Sequence, residues 1–462
     1  MMFLPYILAL VFAIVNIFLC VSKITKKTGI LWNIVFWLIV LGAFFVAHSS
    51  FANGDLMGFA VGFIVFDEFS FCFGVVLSVL ILIFLTSSFY NDDLVYYKHE
   101  MLTLVSLVGL GLLLMSLSAE LIFTLICLEI ASIGLYAMIA LNSTEYKSIE
   151  SAFKYFLLSS LMSAFYLLGS AIIFGVSGTT RYALIDIQTD FLSLVGMILV
   201  LSMMFFKIGI FGFYRWSLDV YYGSSMNITG FFASVFKLAS FTILIKFCFA
   251  YPSANLPILQ GIFAFLAVLS MFAGNLLSIK ENDVKKILIA ASIVHSGYIF
   301  INLSAGEPSL YPALYYLCTY AIVTAFAFGI LNGIFGDREI RIADLSGLYK
   351  NHPLEAFALT IICLSFVGFP YTVGFMGKLF VFSSAVEGGR IDLLIFGVIN
   401  TILSVYYYLR IIISIYFGSD EVQLTCGRFK SLGLLSLLAV FFVILEGSGI
   451  FSIITALGLL PR

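Results

Sequence analysis

Charge is scarce in this sequence. Only 10% of its 462 residues are Asp, Glu, Lys or Arg, while 62% are hydrophobic. Soluble domains carry roughly 25% charged residues, so a water-soluble fold is excluded. The net charge of -2 and the lack of any dense basic run give no footing for nucleic acid. Metal-site signatures are also missing. The seven cysteines contain no CxxC pair and the four histidines are scattered, whereas zinc and iron–sulfur sites need clustered ligands. All cysteines but Cys426 lie in apolar stretches and read as small buried hydrophobes. No cofactor is expected in this chain. The longest polar connection, residues 335–352, is too short to fold alone. A soluble catalytic module would belong to another chain. A secretory signal is absent too: the apolar run from Leu4 to Val21 precedes its basic cluster (Lys23, Lys26, Lys27), the reverse of a signal peptide's order. It reads as a retained first helix.

Long apolar runs fill the space that charge vacates. A helix needs about 20 mostly apolar residues to cross the hydrocarbon core. That length predicts an all-α integral membrane protein of about 14 transmembrane helices, near 4–22, 30–48, 66–89, 100–117, 119–141, 148–176, 190–212, 227–250, 258–277, 284–304, 308–334, 353–387, 391–417 and 431–456. Basic residues gather in alternate connections. Lys23, Lys98, Lys147, Arg215, Lys285, Lys350 and Lys430 represent the odd-numbered ones, while the even-numbered ones hold only Arg181 and Arg390. By the positive-inside rule the odd connections are cytoplasmic. Both termini then face outward.

Six basic residues fall within spans: Lys154, Lys207, Lys237, Lys246, Lys378 and Arg410. A charge at mid-membrane costs roughly 2.5–3.5 kcal/mol even on the lenient insertion scale. Such residues persist when they pair, line water or carry protons. Lys246 lies near the outer end of its span and Arg410 in the inner half of its own, so each stem can snorkel toward an interface. Lys154, one to two turns into the sixth span, can do the same, and is kept as a further candidate. Lys237 in GFFASVFKLASF, Glu129 in FTLICLEIASIGLY and His295 in AASIVHSGYIF are too central for that. The alternatives for them are static buried partners or a proton relay. Burial penalises a charged form and a nearby opposite charge restores it, so a group poised between the two effects can load and release a proton.

Two spans are interrupted. The seventh carries Lys207 followed by Gly209 and Gly212. The twelfth carries Gly368, Pro370, Gly374 and Gly377 and then Lys378. Pro370 removes a backbone donor. Irregular backbone at membrane depth is tolerated where it is buried in protein or lines water. A break is expected within 368–376, with Lys378 facing the protein interior, and a matching one between Lys207 and Gly212. The two spans correspond if helices 4–8 and 9–13 form two sets of five, and five being odd, the second set is inverted. Paired interruptions of this kind point to a transport pathway. The expected units are residues 1–99 (three helices), 100–250 and 258–417 (the two repeats) and 431–462 (the last helix).

At these residues the chain resembles the antiporter-like subunits shared by respiratory complex I and multi-subunit cation/proton antiporters, over helices 3–13. Within that group it is most similar to the subunit N branch of bacterial NADH-quinone oxidoreductases. The segment ESAFKYFLLSSLMSAFYLLGSAIIFGVSGTT at 150–180 is the most specific match. LEIASIGLYAMIAL around Glu129, KKILIAASIVHSGY around His295 and GFPYTVGFMGKLFVF around Lys378 are the others. The resemblance implies that Glu129 and Lys207 form an acid–base pair, that Lys237 is the central relay and Lys378 the terminal one, and that His295 stands between them. It implies a proton-translocating subunit of an NADH:quinone oxidoreductase without redox chemistry of its own. It would sit in a bacterial inner membrane among other membrane subunits and lipid. Where the family has a proline, a histidine and W-x-P-D after Lys207, this chain has Gly212, Tyr214, Trp216, Leu218 and Asp219, so its break would be made by glycine. A subunit of a stand-alone sodium/proton antiporter and a purely structural membrane spacer remain as alternatives.

Overall fold

The computed structural model describes residues 2–20, 26–52, 59–89, 98–141, 145–185, 191–250, 257–306, 311–417 and 432–448. Eleven of its helices are long and apolar enough to cross a membrane, and Leu4–Cys20, Pro353–Val367 and Leu432–Gly447 are shorter apolar helices. In chain order the main helices are α1 (Leu4–Cys20), α2 (Lys26–Ala52), α3 (Glu68–Phe89), α4 (Lys98–Ser116), α5 (Leu121–Ala140), α6 (Tyr146–Ser177), α7 (Phe191–Ile208) and α8 (Arg215–Gly223). Next, α9 runs over 226–250 and contains a π-helical stretch at Phe232–Phe236. The rest are α10 (Pro257–Lys280), α11 (Val284–Ser304), α12 (Tyr311–Phe335), α13 (Pro353–Val367), α14 (Val373–Glu387), α15 (Ile391–Phe417) and α16 (Leu432–Gly447). A short antiparallel hairpin, Phe59–Val61 with Ile64–Phe66, was not legible in the sequence.

Burial is uneven in a way that suits a membrane. Helices α9, α11 and α12 are enclosed over most of their lengths. On α5 and α6, by contrast, Ile126, Ile133, Phe153, Phe156 and Leu157 are exposed. An apolar face of that size fits contact with lipid or another membrane chain.

The same devices recur in α4–α9 and in α10–α15. The turn after α4 pairs with the chain after α6 through a Glu120–Arg181 bridge, and the turn after α10 pairs with the chain after α12 through an Asp283–Arg341 bridge. A 3₁₀ turn follows each bridge, at Tyr182–Leu184 and Ile342–Leu345. The last helix of each set sends a cation to the end of its first helix. Lys246 Nζ donates to the carbonyls of Ser116 and Ser118. Arg410 donates to those of Ile279 and Glu281, each at 3.3 Å. A cation there satisfies orphan carbonyls and the negative end of the helix dipole.

Candidate functional site

Both interrupted spans break where expected, and glycine ends the first half-helix of each. Gly209 has φ 72° and Gly368 φ 88°, conformations that cost glycine little. Each closes a Schellman cap: Ile210 N donates to Phe205 O, and Phe369 N donates to Leu364 O. Gly212, at φ 88°, continues the first break without any proline. The exposed backbone is met from outside. Phe211 N donates to Ser270 Oγ at 3.0 Å, and Trp216 Nε1 donates to Phe206 O at 2.7 Å. In the second break Gly374 N donates to Ser365 Oγ at 3.1 Å.

The caps align Gly209 with Gly368, and this separates the two lysines. Lys207 lies two residues before its cap, whereas Lys378 lies beyond its break, in the second turn of α14. Lys378 is 4% exposed and faces inward. Its Nζ donates to Phe366 O at 3.0 Å and Val367 O at 2.8 Å, two carbonyls that the Schellman bonds leave open.

Lys207 is 1% exposed. Its ammonium reaches Ser159 Oγ at 2.5 Å, Ser132 Oγ at 2.8 Å and Tyr155 OH at 3.4 Å. The Tyr155 ring stacks on Trp216, with centroids 4.9 Å apart, so the segment after the break buttresses the residue that holds Lys207. Glu129 is half-buried, and its carboxylate accepts from Ser163 Oγ. No ion pair joins Glu129 to Lys207 among the described residues. Instead Ser132 stands three residues from Glu129 on α5, and Ser159 four residues from Ser163 on α6, so hydroxyls one turn apart span the gap.

Lys237 directly follows the π-helical stretch, a local widening often found at functional sites. It is 3% exposed, and its Nζ donates to Ser292 O at 2.6 Å and Ser292 Oγ at 3.0 Å. Ser292 is three residues before His295 on α11. The His295 ring is held on both sides: Nδ1 lies 2.6 Å from Tyr316 OH and Nε2 3.3 Å from Tyr408 OH. The ring of Phe236, the residue before Lys237, is 5.5 Å from Lys207 Nζ.

Lys154 stands apart from these groups. It is 44% exposed and pairs with Glu150 at 2.7 Å and, more loosely, with Asp219 at 3.8 Å. Lys246 is held by carbonyls rather than by an interface. Lys285, placed in a connection by its sequence context, is buried and donates to Ser224 O at 2.5 Å. It forms part of a polar hollow of about 200 Å³ with Glu145, Lys147, Asp283, Asp337 and Glu339. Lys285 and Ser292, seven residues apart, share one face of α11. Above that face, burial pushes the pKa of the Asp283 carboxyl at the helix N-cap up, while the Tyr222 hydroxyl and Lys147 hold Glu339 below the usual carboxylate range.

Among the described residues no cluster of three or more His, Cys, Asp or Glu side chains is placed to hold a metal. Sequence reasoning missed the neutral partners: Ser132, Ser159, Ser163, Ser292, Tyr316 and Tyr408. A signal existed, since the serines sit one turn from flagged residues or from one another.

A profile of the family described as NADH:quinone oxidoreductase/Mrp antiporter, TM, matches residues 118–404. The chain is 66% identical over 465 residues to NADH-quinone oxidoreductase subunit N of Campylobacter fetus subsp. fetus, covering 99% of each. It is similar in structure to a chain of respiratory complex I from Thermus thermophilus, with a TM-score of 0.84 and 26% identity over 99% of this chain and 98% of that one. A chain of the Mrp complex from Dietzia sp. shares the fold, with a TM-score of 0.84 and 20% identity over 99% and 96%.

Proposed function

Since the chain belongs to the NADH:quinone oxidoreductase/Mrp antiporter family, as an antiporter-like, proton-translocating membrane subunit of the subunit N kind, we propose that protons pass through it along Glu129, Lys207, Lys237, His295 and Lys378. One observation carries this reading. The three lysines of this line, all buried, are held by neutral acceptors: serine and tyrosine hydroxyls for Lys207, Ser292 for Lys237, and two carbonyls for Lys378. A lysine locked in a buried ion pair strands a charge when it discharges. A lysine among hydroxyls and carbonyls does not, because its neutral amine still donates hydrogen bonds to them.

Each residue then has a task. Glu129, half-buried midway along α5, meets the field of neighbouring membrane subunits first. Ser163, Ser159 and Ser132 transmit that change to Lys207. Lys237 exchanges with His295 across Ser292, and Lys378 delivers to the broken end of α13. The polar hollow at Lys285 lies two turns from Ser292, which supports an aqueous source near Lys237. Lys154 takes no part in this line.

The chain would lie in the bacterial inner membrane with both termini outward, supported by the basic residues of alternate connections. It would work as the translocating part of the oxidoreductase, with electron transfer in partner subunits. The stand-alone antiporter and the structural spacer are not favoured. The near-full-length 66% identity is to an NADH-quinone oxidoreductase subunit, and a spacer has no use for three enclosed lysines.

The test is Lys237→Ala in the intact complex reconstituted in vesicles. Proton translocation per NADH oxidised should fall sharply while the subunit composition is kept. Normal pumping by a fully assembled variant would overturn the central role of Lys237.

A further inference from the structure

The buried line has a gap at its second break. His295 lies on α11 and Lys378 on α14, and no hydrogen bond joins them among the described residues. Tyr316 of α12 stands between. Its side chain is 2% exposed and its hydroxyl lies 2.6 Å from His295 Nδ1. Its ring rests on α14 at Gly377, the residue before Lys378. A β-carbon there would come within 2.5 Å of Tyr316 Cδ2, so any larger residue would push the ring away.

Beside the Tyr316 ring is a cavity of 10 Å³, room for about one water. His295, Tyr316, Tyr320, Ser365, Phe366 and Gly374 wall it. Ser365 and Gly374 lie on opposite sides of the break. Phe366 carries one of the two carbonyls that hold Lys378. The cavity therefore lies between the imidazole and the break, with Lys378 not in its wall but joined to it through Phe366. A buried water needs two to four polar partners, and the phenol and the Ser365 hydroxyl supply two, both nitrogens of the imidazole being engaged by Tyr316 and Tyr408. A phenol donates one hydrogen bond and accepts two, so the bond to His295 leaves Tyr316 able to bond a water as well.

We propose that Tyr316 is a proton-carrying residue of this chain, passing protons between His295 and a single water at the helix break beside Lys378. The inference rests on the relay proposed above and fills its last interval. A doubly protonated imidazole gives its Nδ1 proton to the phenol oxygen as the phenol gives its own proton to the water. The water then protonates a neutral Lys378 amine. The phenol ends neutral with its hydroxyl turned, and rotation resets it. One proton enters and one leaves, and no electron moves.

Two variants in the intact, reconstituted complex test this. Tyr316→Phe removes only the hydroxyl and should lower proton translocation at least about tenfold, on the low side for a positioned acid–base group. Replacing Tyr316 by 3,5-difluorotyrosine keeps ring and hydroxyl but makes the phenol more acidic. It should move the pH profile of translocation toward acid, whereas a hydroxyl that only orients His295 would leave the profile where it is. Full pumping by Tyr316→Phe, or an unmoved profile in the fluorinated enzyme, overturns the inference. If Tyr316→Phe does not assemble, the near-isosteric fluorinated enzyme decides alone. Lys237→Ala run in parallel separates the two readings. Pumping lost there but kept in Tyr316→Phe removes the tyrosine and leaves the relay, while pumping kept in both removes the relay itself.

Discussion

Glu129 and Lys207 are each held by serine hydroxyls rather than by one another. Ser163 holds the carboxylate, Ser159 and Ser132 hold the ammonium, and the two serines of α6 are one turn apart. A direct buried pair would fix both charges. In the relay proposed here, the separate serine partners would let either group change its proton while the other stays solvated by oxygen. Glu129→Gln with Lys207→Met should be non-additive in proton translocation, by about 0.5–3 kcal/mol of activation free energy. In a Ser159→Ala/Ser163→Ala background the same cycle should become additive. Coupling that survives the loss of both serines would show a path that bypasses them.

Lys237 should not tolerate arginine. Arginine keeps its charge at any working pH, and its planar head must fit where Ser292 now takes two bonds from an ammonium. Lys237→Arg should pump no better than Lys237→Ala, measured as acidification driven by NADH in vesicles. Arginine restoring the rate would make Lys237 a fixed charge instead of a carrier.

Gly374 should be intolerant of alanine for a steric reason. A β-carbon at Gly374 would lie 1.8 Å from Ser365 O, whereas one at Gly175 of α6 would meet nothing within 4 Å. Overpacking costs typically 1–3 kcal/mol, and here the obstacle is backbone, which cannot rotate away. Gly374→Ala should lower the yield and melting temperature of the complex, and Gly175→Ala should not. Equal behaviour of the two would mean that the half-helices of the twelfth span are not held this close.

Removing the Lys246 ammonium leaves the carbonyls of Ser116 and Ser118 without their partner. Each unsatisfied group costs about 1–3 kcal/mol. Lys246→Met should therefore destabilise the complex in thermal melts, and Lys246→Arg should recover most of the loss, since Arg410 does the equivalent task in the second set. A melt unchanged in Lys246→Met would show that solvent or lipid replaces the contact.

The Glu339 carboxylate accepts from Tyr222 OH at 2.7 Å and Lys147 Nζ at 3.0 Å. These contacts, the tyrosine first, hold its pKa below the ordinary glutamate value. An acid so depressed adds stability above its unfolded value, about 4.3 for glutamate, and that contribution is lost as pH falls through the folded value. The melting temperatures of the parent and of Glu339→Gln should differ at neutral pH and converge below about pH 4. A gap constant down to pH 3 would mean that the contact does not depend on charge.

The sequence by itself determined the solvent and the chemistry. Apolar runs of membrane length, basic residues in alternate connections and Glu129, Lys237 and His295 at mid-span follow from transfer energies that act residue by residue. The breaks near Gly209 and Gly368 were legible for the same reason: φ > 0 is a local property of glycine. What the tertiary structure alone decided is which groups meet. The sequence presents Lys207 and Lys378 as counterparts, but the glycine caps place one before its break and one after. Lys246 reads as an interface lysine and Lys285 as part of a connection, yet packing turns each onto the end of a helix. The π-helical stretch before Lys237 has no local signature, because it depends on how α9 fits its neighbours. Ser159, Ser163, Ser292 and Tyr316 look ordinary in a helix; a hydroxyl joins a proton path only when another helix brings a charge within 3 Å of it, and that distance is set by packing between segments far apart in the chain.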